Sequence, residues 1–297
     1  MAAAEPPILN QGLSRRALMG AGALALAAPR VALAAIEPGG FSYDGKLVQG
    51  GFLIGRSDPR ATLIVDGKLM GRASADGLFV VGFDRDAPSR AQIDVQRIGG
   101  EAGRAFTIRP TTYRVQRING LPKDEVAPTD PALLERIARE AALKAEAYAS
   151  LDDRDDGFRD GFVWPVKFTR ISAKFGGQRI LDGVPQAPHY GLDLAASTGT
   201  PIHAPAPGLV VLAEPDLHYE GGLTLIDHGQ GLVAGYLHQS RQFVRRGERV
   251  ERGQEIGLVG MTGRATGPHL DWRAKWRGGN IDPSFMVGAT APTPGPD

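Results

Sequence analysis

Short apolar runs separated by Gly, Asp and Pro dominate the first part of the chain. Such runs lie at 52–55, 61–67 and 77–83, and polar and apolar residues alternate over 91–97 and 113–118. Strand signals at this close spacing are typical of a small β-sandwich. We therefore predict a β-sandwich domain over 35–121. It contains no histidine, and we interpret it as an accessory domain.

A helical pattern follows a segment that is rich in Pro and Asp. Asp130 has the side chain of an N-cap, and Pro131 suits the first turn of a helix. Apolar residues then recur at three- and four-residue spacings to about Ser150. The pattern predicts a linker over 122–159 that contains a helix over about 131–150.

The strand pattern returns from Trp164 onwards. Apolar runs at 201–212 and 223–228 are followed by a glycine-rich turn and a further run at 232–238, which together indicate a hairpin. The predicted fold class is thus mainly β. A second domain, an antiparallel sheet with a groove, is placed at 160–288, and a disordered tail at 289–297.

Charge and cysteine content narrow the choice of function. The 297 residues include 34 Lys and Arg against 33 Asp and Glu, a balance that argues against a nucleic-acid binder or a polybasic membrane binder. The absence of cysteine excludes disulfides, thiolate nucleophiles and Cys-ligated zinc. Any metal would have to be held by histidines and carboxylates.

The N-terminus has the features of an export signal. Arg15 and Arg16 precede a short apolar stretch at 21–28, and Ala32 and Ala34 flank one residue as in a signal-peptidase site. The paired arginines resemble a twin-arginine signal. We predict a signal peptide over 1–34, a mature chain outside the cytoplasm and no stable membrane span after cleavage. An uncleaved anchor is the alternative.

All six histidines lie between His189 and His269, which makes this region the first candidate for chemistry. Pro188 and Gly191 disfavour a helix, and in an extended segment His189 and Asp193 share a face. An imidazole and a carboxylate on one face can bind a divalent cation. A surface ion pair is the alternative.

Two further segments of the sequence carry candidate site residues. His269 and Asp271 are two residues apart, so on a strand they also share a face. His238 ends the predicted hairpin strand, where a structural histidine at the edge of the core is the alternative. The remaining three histidines match no ligand pattern and are interpreted as ordinary: His203, His218 and His228.

These residues resemble the three motifs of the lysostaphin/LytM-type zinc endopeptidases, which have a duplicated-hybrid-motif-like domain. The matching segments are His-Tyr-Gly-Leu-Asp at 189–193, Tyr-Leu-His at 236–238 and Gly-Pro-His-Leu-Asp at 267–271, with supporting matches at 170–176 and 259–263. The resemblance implies an enzyme of the periplasm or cell envelope. Its substrate would be peptidoglycan peptides, and its active site an open groove over an antiparallel sheet.

The resemblance also implies roles for single residues. His189 and Asp193 would be metal ligands, and zinc would be the cofactor. His238 and His269 would be catalytic, because they would orient the attacking water and stabilise the developing oxyanion. An envelope regulator is compatible with the resemblance, whereas a nucleic-acid partner is not expected.

Asp271 stands where the family has its third ligand, a histidine. We expect Asp271 to be a metal ligand, since zinc accepts carboxylate oxygens at about 2.0–2.2 Å. A second carboxylate should weaken the Lewis acidity of the metal and shift the preference towards manganese. The substitution also motivates an alternative, a degenerate module that binds murein or activates an amidase without its own catalysis. The presence of His189, Asp193, His238 and His269 together favours the enzyme.

Overall fold

The computed structural model describes residues 40–97, 100–118, 130–152, 157–181 and 183–292. The predicted signal peptide, the part of the linker before the helix and the end of the predicted tail lie outside these residues. Over the described residues the fold is mainly β, as predicted, and its sheets are built almost entirely from antiparallel pairs. Within the same residues, no helix combines the length and the apolar character that crossing a membrane requires.

Two small sheets form the N-terminal part of the fold. One has the strand order β1-β2-β5 and the other β4-β3-β6-β7. Apolar residues of both sheets, such as Phe52, Phe79 and Ile93, are fully buried in one core, which agrees with the predicted sandwich. The strands are β1 (Ser42–Gly45), β2 (Phe52–Arg56), β3 (Thr62–Val65), β4 (Lys68–Arg72), β5 (Leu78–Gly82), β6 (Arg90–Arg97) and β7 (Gly100–Thr107).

One α-helix lies between the two parts of the described chain. It is α1 (Pro131–Tyr148), and it begins where the Asp130 side chain accepts a hydrogen bond from the Ala132 backbone N–H. Arg136 donates to the Asp216 carbonyl at 2.7 Å, and Lys144 forms an ion pair with Glu220 at 2.5 Å. These contacts fix the helix against the C-terminal sheet, so it is a packed element of that domain.

An eight-stranded antiparallel sheet is the centre of the C-terminal part. Its strand order is β18-β14-β15-β16-β20-β12-β9, with β21 paired to β20. A second sheet has the order β13-β19-β17, and β8 pairs with β10 beside β11. A 3₁₀ helix at Pro283–Phe285 follows the last strand. The strands are β8 (Val115–Ile118), β9 (Arg170–Ala173), β10 (Gln178–Leu181), β11 (Val184–Pro185), β12 (Gly191–Ala195), β13 (Pro201–His203), β14 (Gly208–Leu217), β15 (Gly221–Asp227), β16 (Leu232–Gln239), β17 (Arg241–Gln242), β18 (Arg249–Val250), β19 (Glu255–Leu258), β20 (His269–Trp276) and β21 (Gly279–Ile281).

The two faces of the large sheet pack against different elements. One face buries Leu194, Tyr236, Leu270 and Trp272 against the smaller sheet. The other face carries apolar residues of β15 and β16 that pack against α1, including Leu225 and Leu237. Because side chains alternate along a strand, the polar residues of the sequence motifs lie on this second face, next to the helix.

Candidate metal centre and active site

The pairing of β12 with β20 brings two sequence motifs together. In this antiparallel register Asp193 is the direct partner of Asp271, and Ala195 is the partner of His269. Leu194 and Leu270 point into the core behind them. The strand alternation therefore places Asp193, Asp271 and His269 on one face, as the spacing of the sequence predicted.

His189 lies two residues before β12. Its backbone is held on both sides, because its N–H donates to the Gly177 carbonyl at 2.7 Å and its carbonyl accepts from the Gly176 N–H at 2.8 Å. This anchoring brings His189 Nε2 to 3.0 Å from Asp193 Oδ1. Burial lowers the pKa of His189, but the nearby Asp193 and Asp271 outweigh burial, and the pKa is raised overall.

Three side chains converge on one small volume. His189, Asp193 and Asp271 each offer a ligand atom, and these atoms lie within 4.8 Å of one another. Asp271 Oδ1 is buried without a hydrogen-bond partner among the described residues, and His189 Nε2 and Asp193 Oδ1, which are 3.0 Å apart, are buried with no hydrogen-bond partner other than each other. Buried polar atoms are costly when unpaired. A cation shared by the three residues would pair all of them, so the donor set fits a divalent metal.

The two carboxylate oxygens of Asp271 have different surroundings. Its Oδ2 accepts hydrogen bonds from Arg273 Nε at 3.0 Å and Arg273 Nη2 at 2.7 Å, which leaves Oδ1 free. Burial opposes ionisation of this 2% exposed side chain, but the charge of Arg273 holds its pKa below the usual range. Asp271 is therefore an ionised group with one oxygen available for a metal.

The absence of a side chain at Gly191 leaves room for the Asp271 carboxylate. A Cβ at this position would lie 1.8 Å from Asp271 Oδ1 and 2.9 Å from the Arg273 side chain. Gly191 pairs directly with Arg273 across the two strands. A side chain at residue 191 would displace Oδ1 from the position in which it faces the other two ligand atoms.

Arg273 also changes the charge of the site. Metal ligation would require both carboxylates ionised and His189 neutral, and in that state the guanidinium of Arg273 would reduce the net charge from −2 to −1. That is the charge of a shell with one carboxylate and two imidazoles. The second carboxylate was expected to weaken the Lewis acidity of a metal, and the positive charge of Arg273 would offset this effect. Arg273 was not among the predicted site residues, although its position two residues after Asp271 on the same strand face was a usable signal.

His238 reaches the site through an unusual backbone conformation. Its φ is +64°, in the left-handed region that non-glycine residues rarely adopt. In a regular strand His238 would point away from the face that carries Leu237. The register of β15 and β16 shifts next to His238, and its ring lies 4.8 Å from that of His269. Backbone strain of this kind is characteristic of functional sites.

Both of these histidines present the same nitrogen to the site. His238 Nδ1 lies 2.8 Å from the Thr262 carbonyl and His269 Nδ1 lies 2.7 Å from the Gly267 carbonyl. A carbonyl only accepts, so each Nδ1 carries a proton, and in the neutral ring Nε2 is the nitrogen with the lone pair. Burial lowers the pKa of His238, so His238 is neutral at neutral pH.

The other histidines do not join this group. His228 is buried next to Phe162 and its Nδ1 donates to the Pro207 carbonyl at 2.7 Å. The ring of His218 packs on that of Tyr219.

The N-terminal sandwich contacts the segment that carries His189. Arg85 donates from Nε and Nη2 to the Gly176 carbonyl at 3.1 and 2.8 Å, and it packs over the Tyr113 ring. Gly176 in turn donates to the His189 carbonyl. The sandwich therefore supports the backbone of the first candidate ligand.

Comparison with known proteins identifies relatives of the C-terminal part. Residues 187–283 match Peptidase family M23. The chain is similar to peptidoglycan DD-endopeptidase ShyA of Vibrio cholerae serotype O1, with 42% identity over 110 residues that cover 37% of this chain and 25% of ShyA. It is also similar to DD-carboxypeptidase/endopeptidase Mpg of Neisseria meningitidis serogroup B, with 36% identity over 137 residues that cover 46% of this chain and 31% of Mpg.

A solved structure matches more of the chain. It is a crystal structure from Pseudomonas aeruginosa assigned to peptidase M23, with 30% identity, a TM-score of 0.59 and coverage of 82% of this chain and 96% of that one. The likeness thus includes both the sandwich and the sheet that carries the site. By contrast, the chain spans only about a quarter to a third of the length of the two curated relatives.

Proposed function

Because the chain belongs to peptidase family M23, we propose that it is a metal-dependent endopeptidase that hydrolyses peptide bonds in bacterial peptidoglycan. The observation that carries the proposal is the convergence of three buried ligand atoms, of which Asp271 Oδ1 has no partner among the described residues, next to two histidines whose Nδ1 atoms are bound to carbonyls. A module that only bound murein would need neither feature. Relatives of the same family are named for peptidoglycan endopeptidase activity, which supports peptidoglycan as the substrate.

His189, Asp193 and Asp271 would hold the metal, and zinc is the family's metal. When bound, it would supply a Lewis acid that polarises the scissile carbonyl and acidifies water. Asp271 would ligate through Oδ1 while Arg273 holds Oδ2. Since Arg273 offsets the second carboxylate, the site keeps the net charge that suits zinc, and manganese becomes the weaker expectation.

His238 and His269 would act on the water and the peptide. A free Nε2 can accept the proton of an attacking water and later return it to the leaving amine. The carbonyls of Thr262 and Gly267 fix both rings, so neither imidazole can present the wrong nitrogen. Once protonated, either ring would stabilise the negative charge that develops on the substrate oxygen.

We further propose that the protein works in the periplasm or cell envelope, where peptidoglycan lies. The support is the resemblance of the N-terminal sequence around Arg15 and Arg16 to an export signal. Replacement of both arginines by lysine should leave the precursor in the cytoplasm. Normal delivery of that variant would exclude the twin-arginine route.

The proposal is tested by the zinc content and murein hydrolysis of the mature chain. One equivalent of zinc should bind to the unmutated chain, and Asp193→Ala should lose both the metal and the hydrolysis. Asp216→Ala removes an exposed carboxylate outside the site and is the matched control. Less than a tenth of an equivalent of zinc or manganese on the unmutated chain would support the non-catalytic alternative instead.

A further inference from the structure

One face of α1 contacts the end of β14 and the turn that follows it, residues 218–220. Arg136, Glu140 and Lys144 are each four residues apart, so they share this face of the helix. Arg136 Nη2 donates to the Asp216 carbonyl at 2.7 Å, and Glu140 Oε2 accepts from the His218 N–H at 2.9 Å. Both contacts are made with the main chain, so they fix the path of the chain as it enters the turn.

The third contact on this face of α1 is a buried ion pair. Lys144 Nζ lies 2.5 Å from Glu220 Oε1, and both side chains are largely buried. The second oxygen, Glu220 Oε2, is buried without a hydrogen-bond partner among the described residues. A buried carboxylate that loses its cation is strongly destabilised where it lies. Lys144 therefore holds Glu220 in place, and without Lys144 the carboxylate should move towards solvent.

The main chain of Glu220 is bonded to that of His238. The Glu220 carbonyl accepts a hydrogen bond from the His238 N–H at 2.9 Å. His238 has a φ of +64°, and a strained backbone of this kind persists only where the surrounding contacts hold it. The Glu220 carbonyl is one of these contacts, so a movement of Glu220 would act on the backbone of His238.

The residues after the turn also pack against the loop that binds the His238 ring. Gly221 approaches Thr262 so closely that a Cβ at residue 221 would lie 2.2 Å from Thr262 Oγ1. The Gly222 N–H donates to the same Oγ1 at 2.9 Å. The Thr262 carbonyl in turn lies 2.8 Å from His238 Nδ1. This part of the chain thus supports both the main chain and the imidazole of His238.

We propose that Lys144 of α1 is a positioning residue for His238. By holding Glu220, it keeps the His238 backbone and the Thr262 carbonyl in the arrangement that directs His238 Nε2 towards the metal centre. A displacement of about 1 Å in a reacting group can lower the rate by about 100-fold, so a contact outside the reaction site can be needed for turnover. The inference rests on the proposed function, which assigns His238 its catalytic role.

A direct contact with the substrate is the competing role for Lys144. Lys144 and Glu220 border the cavity between α1 and the sheet, and so does Arg273. Loss of a cation that binds substrate would raise KM, whereas loss of a positioning residue lowers kcat. We expect Lys144→Met to lower kcat on soluble cross-linked muropeptides about tenfold, with the KM and the zinc content of the unmutated chain. Lys144→Arg keeps the ion pair and should recover most of kcat.

A second measurement detects the position of His238 without any hydrolysis. In the zinc-loaded chain labelled with ¹⁵N-histidine, NMR follows the exchange of the His238 ring N–H with solvent. Lys144→Met should speed this exchange by about tenfold or more, because local opening exposes a buried N–H. The ring N–H of His228, which donates to the Pro207 carbonyl, is the internal reference and should keep its rate.

Two further variants complete the experiment. Glu220→Gln removes the charge that Lys144 holds at almost unchanged volume, so it should speed exchange at His238 in the same direction, and it serves as the test if Lys144→Met fails to fold. Arg139→Met breaks an exposed ion pair with Glu135 on the same helix. This control should keep the kcat and the exchange rates of the unmutated chain.

Unmutated kcat and unmutated exchange at His238 in Lys144→Met and Glu220→Gln would overturn the proposal. A raised KM with an unchanged kcat would also overturn it, because Lys144 would then contact the substrate. Equally faster exchange at His238 and His228 would show a general loosening of the fold and would count against it too. If exchange at His238 alone depends on Lys144 but the unmutated chain does not digest murein, the proposed function fails and the positioning of His238 by Lys144 stands.

Discussion

Asp193 and Asp271 lie directly opposite each other on adjacent antiparallel strands, with both carboxylates on the same face of the sheet. Like charges in this position repel and destabilise a sheet. Arg273 pairs with Asp271 Oδ2 and His189 Nε2 lies 3.0 Å from Asp193 Oδ1, but Asp271 Oδ1 has no partner among the described residues. The fold therefore carries an electrostatic cost that a bound cation would remove.

This relationship predicts a link between metal and stability. Zinc at 100 times its Kd should stabilise the unmutated chain by about 2.7 kcal/mol. Asp193→Asn relieves the repulsion, so the metal-free variant should be at least as stable as the unmutated metal-free chain, and zinc should no longer raise its Tm. Thermal unfolding with and without zinc measures both effects. A metal-free Asp193→Asn chain that still gained several degrees from zinc would show that Asp193 is no ligand.

We expect the effects of substitutions at Asp271 and Arg273 on zinc affinity to depend on each other. Asp271→Ala should lose the metal, and Arg273→Met should weaken zinc binding by about 10- to 100-fold, the usual effect of removing a group that orients a ligand. Asp271→His alone leaves Arg273 without its carboxylate, so it should bind zinc poorly. Asp271→His combined with Arg273→Met should recover binding.

Calorimetric zinc titrations of the four variants test this coupling. Stoichiometric metal and full murein hydrolysis in Asp271→Ala would make Asp271 a bystander. Independent, additive effects of Asp271→His and Arg273→Met would refute the charge compensation.

His238 should be needed for turnover and not for metal. His238→Ala should keep one equivalent of zinc and lose about 10²–10⁴-fold in rate, the typical contribution of an acid-base or oxyanion group. His218→Ala, which removes a histidine that packs on Tyr219, should leave both quantities unchanged. Digestion of murein by His238→Ala at the unmutated rate would refute the assigned role.

The sequence predicted those parts of the site that depend on strand alternation. His269 and Asp271 two residues apart, and His189 and Asp193 four apart, indicated shared faces, and the structure brings these side chains together. The mainly β fold followed from the spacing of apolar runs.

Other features depend on tertiary structure and could not be predicted in this way. The left-handed backbone of His238 depends on a register shift between two strands. The side of the sheet on which α1 packs depends on tertiary contacts that the helical pattern does not contain. Arg273 was visible in the sequence, but its bidentate contact with Asp271 requires the side-chain geometry.

His228 should make stability depend on pH. Burial lowers its pKa to about 4, against about 6.5 in an unfolded chain. Between these values the unfolded state binds a proton that the native state does not, so stability falls as the pH falls from about 6.5 to 4. The contribution of His228 is about 3 kcal/mol at full extent.

Chemical denaturation at several pH values between 4.5 and 7 measures this dependence. His228→Gln should reduce the loss of stability on acidification, even if it lowers stability at neutral pH, whereas His218→Gln should not. An unchanged pH slope in His228→Gln would contradict the assignment.

The most direct test of the proposed activity is digestion of purified peptidoglycan by the mature chain in three states. The chain is assayed as zinc-loaded, after complete removal of metal by a chelator, and after zinc is restored, and the released peptides are identified by mass spectrometry. We expect peptide-bond cleavage in the first and third states and none in the second, with Asp193→Ala inactive in all three. Equal release of cleaved peptides by the metal-free chain, or none by a chain shown to hold one equivalent of zinc, would contradict the account.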